Sequence, residues 1–210
     1  MSQLGDYYVS GGITMHAITV CSILGIAAIL YKLVAFAGIR ADTSAFLREI
    51  RGALLQGNLR GALEICDRYR GPVPAVVKTG LIRHGAPRES IDRAMEATAL
   101  HEMTWLEKYL VLLASVTSLA PMLGFLGTVI GMLGALETVS RQGLGNPAAV
   151  AGGIRVALVS TAYGLIVAFV VQPFHTYFTA RVNQYARDME TASDVLLDTF
   201  DEVERLGARA

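Results

Sequence analysis

Three long apolar segments, separated by more polar ones, set the pattern of this chain. They cover residues 13–36, 109–136 and 150–174, and each exceeds the ~20 residues that a helix needs to cross ~30 Å of hydrocarbon. The pattern predicts an all-α polytopic membrane protein with three transmembrane helices. The second segment is longer than a bilayer requires, so we expect its helix to tilt or to project beyond the membrane.

The segment between the first two spans, residues 37–108, has the periodicity of short amphipathic helices. Apolar residues recur three and four positions apart on both sides of a break at Gly57 and Asn58. They are Phe46, Leu47, Ile50, Leu54 and Leu55 before the break, and Leu59, Leu63 and Cys66 after it. Two amphipathic helices are therefore predicted here.

Pro72 and Pro74 mark the next break, and a longer helix is predicted to begin near Glu89. No glycine or proline follows until Pro121, so we expect one helix to run without interruption into the second span. Its expected packing residues are Met95, Leu100, Met103 and Leu106.

The tail, residues 175–210, alternates apolar residues at helical spacing with many carboxylates. Its apolar residues include Val182, Tyr185, Met189, Val195, Leu196 and Phe200. A C-terminal helix is predicted. We favour a solvated extension, and a docking surface is the alternative.

The positions of lysine and arginine predict the orientation in the membrane. The first twelve residues contain neither, and residues 137–149 contain only Arg141, whereas eleven lie between Arg40 and Lys108. Because basic loops stay in the cytoplasm, we expect the N-terminus outside and the C-terminus inside. Residues 1–12 and the loop 137–149 are then external. The missing early basic residue also argues against a cleaved signal peptide.

Composition agrees with a membrane protein and narrows its chemistry. The chain is 53% hydrophobic, 17% charged and formally neutral, which argues against a nucleic-acid partner. Cys21 and Cys66 are too few and too far apart to suggest a disulfide framework or a metal site, and we expect both to be packing residues. No nucleotide-binding loop or paired nucleophile and base is visible. We therefore expect neither an enzyme nor a cofactor.

Small residues form a stripe along the second span. Its members are Pro121, Gly124, Gly127, Gly131, Gly134 and Ala135, at helical spacing that allows close approach of a neighbouring backbone. Thr128 is the one polar side chain on this face. Its hydroxyl can bond to a carbonyl one turn earlier, or it can line a polar pathway.

The third span repeats this arrangement with a single threonine, Thr161. The other members of its stripe are Ala157, Gly164 and Ala168. Two such threonines are compatible with a shared polar pathway and also with hydrogen bonds that join helices. Arg155, near the outer end, is expected to anchor the span at the interface.

No carboxylate lies in the middle of any span, because Glu137 is at the outer end of the second. Proton transport through a membrane usually requires a titratable group there. If this chain moves protons, a partner must supply the acid.

Two motifs resemble the signatures of the ExbB/TolQ/MotA family of proton-channel stator subunits. They are APMLGFLGTVIGM, from Ala120, and ALVSTAYGL, from Ala157. The likeness covers nearly the whole chain and is strongest to ExbB and TolQ. The first motif is long and specific, whereas the second is weak without the first.

This resemblance implies an inner-membrane homopentamer whose second and third spans line a pore, with external segments in the periplasm. Two single-span ExbD/TolR-like chains in the pore would each bring a proton-carrying aspartate. The pore threonines of the family correspond to Thr128 and Thr161. Proton flow would then drive mechanical work at the outer membrane through a TonB- or TolA-like protein, as in TonB-dependent transport or a Tol-Pal-like system.

The chain departs from the family at one position, and other functions stay open. Many relatives have a glutamate five residues before the third-span threonine, where this chain has Val156. A gliding or flagellar-type motor is the nearest alternative, and a non-conducting membrane scaffold is another. A small-molecule carrier is disfavoured because the spans show no inverted repeat.

Overall fold

The computed structural model describes residues 12–39, 43–143 and 147–207. Within these ranges the chain is helical and contains no strand. The helices are α1 (Gly12–Ala37), α2 (Thr43–Leu55), α3 (Leu59–Arg68), α4 (Pro72–Ile82), α5 (Arg88–Glu107), α6 (Leu110–Gln142) and α7 (Pro147–Gly207). The predicted all-α class is confirmed.

The chain divides into two compact units. The membrane unit comprises Met1–Lys32 and Tyr109–Tyr177, and the helical unit comprises Leu33–Lys108 and Phe178–Ala210. Both α1 and α7 contribute to each unit. Three helical segments are long and apolar enough to cross a membrane, which confirms the predicted number of spans. The N-out orientation stays a prediction, and most of the external segment 1–12 lies outside the described residues.

In the membrane unit, small side chains are buried where helices meet and many large apolar ones are exposed, although others, such as Ile18 and Leu113, are buried. Ala120 and Ala157 are almost completely buried, whereas Phe125 and Phe169 are 67% and 81% exposed. A surface with this much exposed apolar area is adapted to lipid or to other membrane helices.

In the helical unit, α2 to α5 and the C-terminal part of α7 enclose a core of large side chains. Its most deeply buried members are Phe46, Val76, Val77, Leu81, Met95, Met189 and Leu196. The tail is therefore not a solvated extension, and that prediction is wrong. Its apolar face is packed, because burying those side chains removes them from water.

The helix starts in this unit follow from local chemistry. The Asn58 side chain accepts a hydrogen bond from the Gly61 N–H at 2.8 Å and caps α3, which matches the predicted break. Pro72 and Pro74 do not precede a helix but form the first turn of α4. Proline is tolerated there because the first N–H groups of a helix have no partner within it.

The prediction of one uninterrupted helix into the second span is wrong, because two residues separate two helices there. Helix α5 ends at Glu107, and α6 begins at Leu110 after Tyr109 adopts a left-handed φ of 67°. Residues other than glycine rarely adopt that conformation. The sequence has no glycine or proline at the break that would predict it. Leu100, expected to pack, is 64% exposed, whereas Met95 and Leu106 are fully buried.

Candidate functional site

The second and third spans meet through their backbones in the membrane unit. A Cβ atom added to Gly131 would lie 2.7 Å from the Gly153 carbonyl oxygen and 2.8 Å from the Ala157 nitrogen. Both distances are shorter than any ordinary contact. Helices α6 and α7 can therefore approach this closely only because position 131 lacks a side chain.

The same contact continues along both helices. A Cβ atom at Gly124 would lie 3.0 Å from the Ser160 carbonyl oxygen, and one at Gly164 would collide with the Ala120 carbonyl oxygen. Gly124 and Gly164 are both buried. Gly124 and Gly131 of the second-span stripe and Gly164 of the third therefore lie against backbone atoms of the other helix.

Not every member of the stripe takes part. Pro121 is half-buried, and Gly134 has no atom within 4 Å of an added Cβ. The contact nevertheless continues past Gly134, because a Cβ atom added to Gly153 would lie 2.8 Å from the Ala135 Cβ.

The hydroxyls of Thr128 and Thr161 both lie at one turn of α6. Thr128 donates to the Phe125 carbonyl at 2.6 Å, within its own helix. Thr161 donates across the helix contact to the Gly124 carbonyl at 3.0 Å. In an α-helix this carbonyl also accepts from the backbone N–H of residue 128. The two threonines are therefore joined through the Gly124 carbonyl.

Sequence reasoning missed a polar contact one turn away, at Gly127. A Cβ atom there would collide with the Ser160 hydroxyl and would lie 2.8 Å from the Thr14 hydroxyl oxygen. Ser160 is fully buried and donates to the Ala157 carbonyl at 3.0 Å, while Thr14 is 6% exposed. The hydroxyls of Thr14 on α1 and Ser160 on α7 therefore both lie next to Gly127 of α6. The Ser160-Thr161 pair in the sequence was the available signal.

The charges of this unit are few. Lys32 is 3% exposed although it belongs to the first span, a feature that the sequence analysis did not single out. Arg155 is exposed, and Val156 is half-buried with its Cγ1 atom 3.6 Å from a Cβ added to Gly12. The position at which many relatives have a glutamate therefore lies against α1. No cluster of metal-ligating side chains occurs among the described residues.

The sequence was compared with known families and proteins. The profile of the MotA/TolQ/ExbB proton channel family matches residues 69–191, which is more than half of the chain. An ExbB homolog of Methanothermobacter thermautotrophicus, described as a biopolymer transport protein, is 30% identical over 179 residues. That alignment covers 85% of this chain and 63% of the relative.

Two further relatives match shorter stretches. The biopolymer transport protein ExbB of Xanthomonas campestris is 41% identical over 95 residues, or 45% of this chain and 37% of the relative. The Tol-Pal system protein TolQ of Pseudomonas aeruginosa is 35% identical over 96 residues, or 46% of this chain and 42% of the relative. The chain thus spans less than two thirds of the length of these relatives.

These similarities agree with the expected resemblance. With its three candidate spans, the chain is a multi-pass protein of the inner membrane, and it belongs to the MotA/TolQ/ExbB proton channel family.

Proposed function

We propose that this chain is a stator subunit of a proton channel that converts the proton motive force into mechanical work. The observation behind the proposal is the turn of α6 at which the Thr128 hydroxyl donates to the Phe125 carbonyl and the Thr161 hydroxyl donates to the neighbouring Gly124 carbonyl. A hydroxyl can both donate and accept a hydrogen bond. By rotating, each can exchange its carbonyl partner for a water molecule or a partner carboxylate.

The proposal includes an oligomer and an acid from a second protein. The spans contain no carboxylate apart from Glu137 at the end of α6, so a proton-carrying acid within the membrane would have to come from a partner. An ExbD/TolR-like single-span dimer would supply the aspartate within a homopentamer. The exposed faces of α6 and α7, with Phe125 and Phe169, provide apolar surface for such neighbours.

The process driven is proposed to be one at the outer membrane, through a TonB- or TolA-like protein. The names of two relatives, biopolymer transport protein ExbB and Tol-Pal system protein TolQ, support this choice. We propose a gliding or flagellar-type motor only as the second choice, because the names of these relatives refer to biopolymer transport and to the Tol-Pal system.

Proton flux into liposomes under an imposed potential tests the proposal. We would reconstitute the full chain with and without its single-span partner and compare Thr128→Val and Thr161→Val with the wild type. Valine keeps the shape of threonine and removes the hydroxyl. We expect flux that requires the partner and falls at least about tenfold in each variant, because a proton relay loses a hydrogen-bonding group.

Thr138→Val is the matched control. Thr138 is on the same helix and donates to the Gly134 carbonyl at 2.9 Å, so the same bond within the helix is lost. We expect its flux to equal that of the wild type. Absence of flux from a correctly assembled wild-type complex, or equal loss in the control, would contradict the proposal.

A scaffold is the second candidate, and a specific observation favours it. Both threonine hydroxyls already have carbonyl partners, and the glycines of α6 and α7 are in backbone contact. A scaffold predicts that Thr161→Val weakens assembly, whereas Thr128→Val changes nothing. The two candidates therefore differ most clearly at Thr128.

A further inference from the structure

A cavity of about 420 Å³ lies in the helical unit, at the C-terminal end of the first span. Its walls include Gly38 and Ile39, which directly follow α1, and the start of α4. Gly71 lets α4 begin this close, because a Cβ atom there would lie 3.0 Å from Ile39 Cγ2. The end of a membrane span is the level at which phospholipid headgroups lie.

Four polar side chains line this cavity, and two of them carry opposite charges. They are the Arg70 guanidinium, the His101 imidazole, the Glu102 carboxylate and the Trp105 indole. Within the described ranges, none of these four groups forms a hydrogen bond or an ion pair. Arg70 and His101 are exposed, and Glu102 is half-buried. Among the residues that the structure describes, the cavity therefore presents donors and one acceptor that have no hydrogen-bond partner.

Arg70 and Glu102 are complementary to a headgroup that carries both a phosphate and an ammonium. Arginine offers several N–H donors to a phosphate diester, while a carboxylate accepts the N–H donors of a primary ammonium. Trp105 is 45% exposed, and tryptophan is enriched at the membrane interface because its ring is apolar and its N–H is polar. A purely anionic headgroup would leave Glu102 facing a negative charge.

We propose that this cavity binds the headgroup of a phospholipid with a phosphate and a primary amine, such as phosphatidylethanolamine. Arg70 binds the phosphate, Glu102 binds the ammonium, and the side of the Trp105 ring covers the glycerol region. The proposal is independent of proton conduction, because no residue of the Thr128 and Thr161 turn takes part. It would make the helical unit sensitive to the composition of the adjacent leaflet.

Trp105 is the only tryptophan of the sequence, so its fluorescence reports on this cavity directly. The full chain, purified in detergent and depleted of lipid, would be titrated with dihexanoyl phosphatidylethanolamine. We expect a saturable change in emission. Phosphatidylcholine, which keeps the phosphate but has no ammonium N–H, should bind more weakly by about tenfold.

Two variants separate the two contacts. Arg70→Ala should weaken the binding of both lipids by about tenfold or more, since the phosphate loses its charged partner. Glu102→Gln should keep phosphatidylcholine binding unchanged and remove the preference for phosphatidylethanolamine. Arg60→Ala is the matched control, because its side chain is 92% exposed and pairs with Glu64 on α3, outside the cavity.

Four results would overturn the proposal. Equal binding of both lipids by the wild type, or tighter binding of phosphatidylglycerol, would remove the role of the ammonium. The same saturable change with inorganic phosphate alone would mean an anion site and not a lipid site. No saturable change with any lipid would leave the cavity to another occupant.

Discussion

Helices α6 and α7 of the membrane unit touch through glycine and carbonyl atoms, whereas the helical unit is held by large apolar side chains. Gly131 and Gly80 illustrate the difference. A Cβ atom at Gly131 would meet backbone atoms, but one at Gly80 would meet the flexible ends of Met95 and Leu196. Lipid provides no hydrophobic force between helices, so close backbone packing is needed there. In water the burial of large side chains is itself stabilising.

The largest effect is expected from a bulky side chain at the backbone contact. Gly131→Leu should prevent α6 and α7 from associating, because the added Cβ alone would lie 2.7 Å from the Gly153 carbonyl oxygen. No rotamer of leucine avoids that contact, and overpacking a tight site costs about 1–3 kcal/mol or more. We expect no monodisperse protein in detergent by size-exclusion chromatography.

Gly134→Leu is the control for this substitution. Position 134 is one turn further along α6 and has open space around an added Cβ. The variant should be purified like the wild type. If Gly131→Leu and Gly134→Leu behaved alike, the close approach of the two backbones would not be what holds these spans together.

In the helical unit the corresponding change is the removal of a large side chain. Leu196, on the tail, is 1% exposed, and Leu196→Ala should lower the free energy of unfolding by about 2–5 kcal/mol. Chemical denaturation of the full chain in detergent, followed by circular dichroism, measures this loss. Leu100→Ala, at a site that is 64% exposed, should change the free energy by less than about 0.5 kcal/mol. Similar losses in the two variants would mean that the tail is solvated after all.

The sequence predicts the spans well because they follow from the length of continuous apolar segments, and the short helices well because they follow from periodic burial. Helix α3, for example, starts where Asn58 interrupts the apolar pattern and caps it. Whether the tail is packed or solvated could not be predicted in this way. An amphipathic acidic helix has the same periodicity whether it is solvated or packed, and only its contacts with α2 to α5 distinguish the two.

The candidate site was predictable only in part, for the same reason. Thr128 and Thr161 are identified by their motifs, but the hydrogen bond from Thr161 to the Gly124 carbonyl depends on the relative register of two helices. Ser160 was missed because periodicity along one helix does not show which residue faces Gly127 on another. The break at Tyr109 has a different cause. It depends on a backbone conformation for which tyrosine has no preference.

The smallest expected effect tests how dry the core of the helical unit is. Burial raises the pKa of the Cys66 thiol from 9.0 to about 12, and the nearby Asp67 carboxylate adds to the rise. The folded state therefore holds the thiol proton more tightly than the unfolded state. Its stabilising contribution is complete below pH 9 and is lost as the pH rises from about 9 to about 12. Within that window the free energy of unfolding should fall by about 1.4 kcal/mol per pH unit.

Comparison with Cys66→Ala isolates this contribution, because the variant keeps every other titrating group. The difference in unfolding free energy between wild type and variant should be constant well below pH 9 and should be about 1.4 kcal/mol smaller at pH 10. In a Cys21→Ser background, a maleimide at pH 8 should leave folded Cys66 unmodified and should label it only after denaturation, since the thiolate is the reactive form. Rapid labelling of the folded chain would show that water reaches this core. The helical unit would then lack the dry core that distinguishes it here from the backbone-packed membrane unit.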